Sequence, residues 1–128
     1  MTQVRAIRGA TTLEEDTIEQ LNERVRTLVS EMMTANRLVP DDLISILFTA
    51  TSDIGSGFPA TAARSLGLDD TPVMCAREME IPGSLGLCVR VMMHAHSPRS
   101  KREVVHVYLH GARQLRPDLV AQAGEDDR

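Results

Sequence analysis

The chain reads as an α/β (α+β) protein in which a mixed β-sheet is covered by one long helix. Ile18, Leu21, Val25, Leu28, Val29, Met32 and Met33 recur at spacings of three and four, the apolar stripe of a single amphipathic helix. Strand-length apolar runs stand on either side of it, at residues 4–7, 43–50, 73–77, 87–96 and 104–109. Strands and helix alternate along the chain rather than segregating, which points to a sheet with a helix packed on it.

The first strand, residues 4–7, leads into Gly9, so Arg8 ends it. Thr12-Leu-Glu-Glu15 fits a capping box, with a start one turn later at Asp16 as the alternative. The helix then runs to about Asn36. Pro40-Asp41-Asp42 marks a turn or a short helical start. Residues 43–50 (LISILFTA) are almost continuously apolar, which suits a central strand buried on both faces. Residues 51–57 form a loop of small side chains. A short helix over 59–66 has Pro59 in its first turn and Gly67 beyond its end. Pro82-Gly83-Ser84 separates the third and fourth strands, and VVHVYL over 104–109 is the last. Residues 1–119 make one domain, and Glu125-Asp-Asp-Arg128 closes a flexible acidic tail over 120–128. One helix covers only one face of such a sheet, so the other face predicts an oligomer.

Composition narrows the function. A chain of 128 residues buries about two thirds of its unfolded surface without help from disulfides or metals. Aromatic residues are limited to Phe48, Phe58 and Tyr108, so the core is aliphatic, with seven Met among its candidates. A net charge of −4 argues against nucleic-acid and polybasic membrane partners. No apolar run approaches the ~20 residues of a membrane span. The first eight residues carry charges where a signal peptide needs an apolar stretch. Cys75 and Cys88 fit neither a zinc spacing nor a disulfide framework, so a reducing cytoplasm is the expected compartment.

Every basic residue except Lys101 is an arginine, the side chain whose planar fork matches carboxylates. In the run Cys88-Val-Arg-Val-Met-Met-His94, alternation puts Cys88, Arg90, Met92 and His94 on one strand face. A guanidinium keeps its charge and needs an anion beside it. For Arg90 that anion is either Glu78 or Glu80 in a structural ion pair, or the carboxylate of a ligand. Arg8, Arg64 and Arg116 raise the same alternative, surface charge or part of a polyanion site.

Cys75 and Glu78 point to opposite faces of an extended strand and converge only if the strand ends or bulges between them. A Cys75–His106 nucleophile pair is the weaker alternative to a buried, inert thiol. His94, His96, His106 and His110 gather round zinc only if their strands pair, and half-exposed strand positions are the simpler account. The loop TSDIGSGFP lacks the GxxxxGK[ST] spacing of a phosphate loop, which removes nucleotide binding.

Several short motifs follow in one order: Arg8-Gly-Ala-Thr-Thr12, Phe58-Pro-Ala60, Val73-Met-Cys75, Glu78-Met79, Cys88-Val-Arg-Val-Met-Met93, His106-Val-Tyr-Leu109 and Leu115-Arg-Pro-Asp-Leu119. The set resembles the small monofunctional chorismate mutases of the AroH class, over residues 3 to about 119. The resemblance implies a homotrimer in a pseudo-α/β-barrel arrangement, with active sites between subunits. It also implies chorismate as substrate, prephenate as product on the way to phenylalanine and tyrosine, and no cofactor or metal. Carried over residue by residue, Arg90 matches the arginine that meets a carboxylate and the ether oxygen, and Arg8 a carboxylate clamp. Glu78 with Cys75 matches the group on the ring-hydroxyl side, and Tyr108 and Arg116 match polar neighbours of the substrate. Phe58, Ala60 and Arg64 match a wall from the adjoining subunit, while Val73 and Leu115 match the apolar floor. Thr61 and Met74 depart from the family pattern, which has Lys and Thr there. The first departure removes a charge at the cleft mouth, and the second removes a hydroxyl or leaves only backbone contacts. Two other functions remain open on the residues themselves: a trimeric imine or enamine deaminase, and a non-catalytic module binding an aromatic-pathway anion.

Overall fold

The structure, a computed structural model, describes residues 1–115. It consists of β1 (Gln3–Thr12), α1 (Ile18–Ala35), a 3-10 turn (Pro40–Asp42), β2 (Leu43–Ala50), α2 (Pro59–Arg64), β3 (Val73–Arg77), β4 (Cys88–Ser97), β5 (Val107–Tyr108) and a second 3-10 turn (His110–Gln114). The five strands form one mixed sheet in the order β3-β2-β4-β1-β5. β1 and β2 flank β4 antiparallel, while β3 and β5 join the two edges in parallel.

α1 lies on one face of this sheet because its apolar stripe has nowhere else to go. Leu21, Val25, Leu28, Val29 and Met32 are fully buried, against Ile7, Ile46, Phe48, Val89, Val91 and Met93 from the strands. The helix passes directly over Gly9, where a Cβ would run into the Met32 side chain. This contact accounts for a difference from the sequence expectation. β1 does not stop at Arg8 but continues to Thr12, and glycine at position 9, a poor strand former, is kept because the helix lies on it.

The capping-box expectation at Thr12 also gives way. The hydroxyl of Thr12 accepts a hydrogen bond from the amide of Gly111, and its carbonyl accepts one from the buried Arg24 side chain. Thr12 is therefore the tied-down end of a strand. Thr17 caps α1 instead, accepting from the amide of Gln20 at 3.2 Å. Asp16 is occupied elsewhere, accepting from the amides of Gly55 and Ser56 across the β2–α2 loop.

β2 and β3 have the expected limits, and β4 runs over Cys88–Ser97, one residue on from the expected 87–96. α2 ends at Arg64, two residues early, with Gly67 following at φ 82°. The last strand is much shorter than expected. Of residues 104–109 only Val107 and Tyr108 pair with β1, because the Val105 backbone is taken by Asn36 at the end of α1. β2 is not buried on both faces either: Ile46 and Phe48 face the core, while Leu47 is 39% exposed. Among the described residues, the sheet face opposite α1 is thus left uncovered.

Candidate active site

The uncovered face gains its character from register. Ala76 of β3, Thr49 of β2, Arg90 of β4, Ala10 of β1 and Tyr108 of β5 stand opposite one another in a single row across all five strands. The neighbouring row is Met74, Leu47, Met92 and Arg8. Because side chains two apart share a face, the polar residues of one row and the apolar residues of the next project into the same space. That space is a cleft of about 360 Å³ in which Arg8, Leu47, Thr49, Glu78, Arg90, Met92, Tyr108 and Leu115 meet.

Glu78 reaches the cleft because β3 ends one residue before it, and its amide donates to the carbonyl of Ala50. Its carboxylate accepts a 2.7 Å hydrogen bond from the Thr49 hydroxyl and lies 3.2 Å from Nε of Arg90. Of the two alternatives, the structure shows the ion pair with Glu78, while the Arg90 side chain remains half exposed to the cleft. Such an exposed pair adds little to stability. Its consequence is orientation, since Nε is anchored and the guanidinium plane is held. Arg8 adds a second guanidinium, so among the described residues the cleft carries two fixed positive charges against one carboxylate.

Cys88, beside Arg90, is buried, and burial pushes its thiol up to about 11. The nearby Arg90 charge, which favours thiolate, does not overcome that desolvation. At neutral pH, alkylation of the folded protein is expected to spare the buried Cys88, which reacts only after unfolding. Mass mapping of the labelled peptides checks this, and native labelling of Cys88 would contradict it.

The remaining candidates lie elsewhere in the same chain. Cys75 stands beside Phe58 and Pro59 in a separate crevice of about 410 Å³, bordered by the β2–α2 loop and β3. Ending the strand before Glu78 does not bring Cys75 and Glu78 together. Cys75 is opposite core-facing Phe48 in register and so points to the helix side, whereas Glu78 turns to the other. Cys75 is also at the opposite edge of the sheet from His106, which removes the nucleophile pair. Val73 packs against the core, so it is not part of this cleft's floor, whereas Leu115 lines the cleft. Phe58, at the start of α2, is 70% exposed and Arg64 is exposed as well; Met74, equally exposed, stands on the cleft's face of the sheet at the β3 edge; Ala60 is buried in its own chain. Arg116 lies outside the described residues, as does the tail over 120–128. Among the described residues no group of three His, Cys, Asp or Glu is placed to hold a metal, so the four histidines make no zinc site. No helix there is long and apolar enough to cross a membrane.

Sequence reasoning did not find Thr49 or Leu47. Their place on the cleft follows only from strand order, which sets β2 beside β4 and leaves its odd-numbered positions uncovered.

Fold and cleft together present guanidinium charge, which does not titrate, on the open face of a mixed sheet with one long helix behind it. The chorismate mutase type I family model matches residues 4–119. Chorismate mutase AroH of Thermus thermophilus is 44% identical over 117 residues, covering 91% of this chain and 96% of that protein. Chorismate mutase AroH of Bacillus subtilis (strain 168) is 40% identical over 117 residues, covering 91% and 92%. A solved structure, the chorismate mutase from Clostridium thermocellum Cth-682, superposes with a TM-score of 0.85 at 45% identity, covering 86% of this chain and 98% of that one. The chain belongs to the chorismate mutase type I family, whose members are isomerases.

Proposed function

We propose that the cleft around Arg90 rearranges chorismate to prephenate, with Arg8, Glu78, Cys75 and Arg90 as its working groups. One observation carries the assignment: residues from β1, β2, β4, β5 and the start of the β3–β4 loop bring two guanidiniums and an anchored carboxylate into one small cleft. The substrate is a dicarboxylate. In the reaction an ether carbon–oxygen bond breaks as a carbon–carbon bond forms, in one concerted step and with no proton transferred. The protein then has two tasks, to hold the substrate in its chair-like diaxial shape and to stabilise negative charge growing on the ether oxygen. Arg8 clamps one carboxylate. Arg90, held at Nε by Glu78, turns its remaining N–H groups to the other carboxylate and to the ether oxygen. Glu78 accepts from the ring hydroxyl and favours the positive charge that develops on the ring. Tyr108 and Arg116 add polar contacts, and Leu115 closes the apolar side.

The second set of residues completes the site from a neighbour. Phe58, Ala60 and Arg64, in and just before α2, and Met74 and Cys75 of β3 lie towards the sheet edge opposite β5, while Val73 stays packed in its own core. In a homotrimer of one 1–119 domain each, working in the cytoplasm, this edge of one subunit covers the cleft of the next. The large side chains of Phe58 and Met74 support that arrangement, since the described residues leave each of them 70% exposed.

Loss of chorismate's ultraviolet absorbance on adding the protein tests the reading. Prephenate is expected far above the uncatalysed rate. Ammonia release from an imino acid would point to a deaminase instead, and tight chorismate binding without turnover to a binding module. The rate is expected to be nearly flat with pH around neutrality, because no proton moves and arginine keeps its charge. A bell-shaped profile centred there would require acid–base catalysis and contradict the mechanism.

A further inference from the structure

We infer that His106 is a positioning residue that sets the cleft arginine Arg8 through its backbone. β5 begins at Val107, so its ladder with β1 starts at Gly9. Along β1 the backbone groups of Arg8 and Ala10 point to the β5 side, where the Ala10 carbonyl accepts from the amide of Leu109. The amide of Arg8 therefore lies one rung short of the last strand partner. A side chain takes the missing place: Arg8 N–H donates to Nδ1 of His106 at 2.9 Å.

This bond fixes the state of the imidazole. A ring nitrogen that accepts from an amide is unprotonated, so the neutral ring carries its proton on Nε2. The bond also fixes the base of a long lever. The Arg8 side chain runs from this backbone into the cleft, and it borders a second, adjoining crevice where Arg5, Lys101 and His106 stand. A small rotation of the Arg8 peptide becomes a large displacement of its guanidinium, and misplacement of about 1 Å can cost 10²-fold. His106 is not itself among the described cleft-lining residues, and it reaches one of them, Arg8, through this backbone bond. Its effect on turnover is expected to pass through Arg8.

The inference rests on the assignment of Arg8 as a carboxylate clamp, and the test separates the two. Asparagine offers a side-chain oxygen where the histidine offers Nδ1, whereas leucine fills space without an acceptor. His106→Leu is expected to lower kcat/KM for chorismate about tenfold, mostly through KM, and His106→Asn to stay within about threefold of the parent. In an Arg8→Ala background, His106→Leu is expected to have no further effect. Equal losses for the Asn and Leu variants, or the same loss from His106→Leu with and without Arg8, would overturn the proposal. Should His106→Leu fail to fold by circular dichroism, His106→Gln replaces it, its acceptor one bond out of place. Parental kcat/KM in that variant would overturn the proposal as well. If Arg8→Ala alone keeps parental kcat/KM, the clamp assignment fails instead, and this inference falls with it.

Discussion

Arg90→Lys is expected to lower kcat by about 10²–10³-fold, roughly 3 kcal/mol of transition-state stabilisation, while KM changes far less. The reason is geometric. Arg90 holds Glu78 with Nε and has further N–H groups of the same rigid plane for a ligand, so one side chain serves two anions at once. A lysine ammonium is a single point on a flexible stem. It can stay with the Glu78 carboxylate, which is fixed by the Thr49 hydroxyl, or follow the substrate, but it cannot keep both geometries. Charge is retained in the variant, so ground-state attraction for a dianion survives. What is lost is the aimed donor at the ether oxygen, which matters chiefly when charge has built up there. Steady-state kinetics decide the matter: a change confined to KM would remove Arg90 from the chemical step.

Asn36→Ala is expected to destabilise the protein by about 3 kcal/mol, read as a lower midpoint in urea with an unchanged slope. Asn36 is 3% exposed, and its amide is fully used. Nδ2 donates to the carbonyls of Met32 and Val105, and Oδ1 accepts from the amide of Val105 at 2.8 Å. Alanine would leave the Val105 amide and carbonyl without partners in a partly buried place, which costs more than the bonds themselves contribute. The variant is also expected to lose activity at temperatures where it is still folded, because Val105 immediately precedes His106 and β5. An unfolding free energy within about 0.5 kcal/mol of the parent's would show that water replaces the amide easily.

Elements whose apolar pattern agrees with their surroundings were legible in the sequence. β2, β3, α2 and the body of α1 belong here, and so does the alternation of β4 that turns Arg90 away from the core. What misled were local signals that a distant partner overrides. Thr12-Leu-Glu-Glu15 has the spacing of a capping box, but Gly111 and Arg24 claim Thr12. The VVHVYL segment has strand propensity throughout, but Asn36 claims Val105 from 69 residues away. In the cleft, Arg8, Glu78, Arg90, Tyr108 and Leu115 were named from the sequence and do line one space. Thr49 and Leu47 were not, because nothing local says which strand lies next to β4. The separation of Cys75 from Glu78 was equally invisible, since three residues of spacing do not reveal where a strand ends and which way the chain then turns.

The opposed rows across the sheet also make catalysis a gauge of folding accuracy. Arg8 and Arg90 sit on adjacent antiparallel strands, each flanked by core-facing neighbours. Were β4 to dock one residue out of step, both its sides would exchange: Arg90 would press on α1, and Val91 would meet water. Such a chain retains its strand content, so far-ultraviolet dichroism counts it as recovered, whereas it converts no chorismate. During renaturation from urea, the part of the lag between the returning dichroism signal and the returning turnover that does not change with protein concentration, and so is not subunit association, measures how long misaligned strands survive.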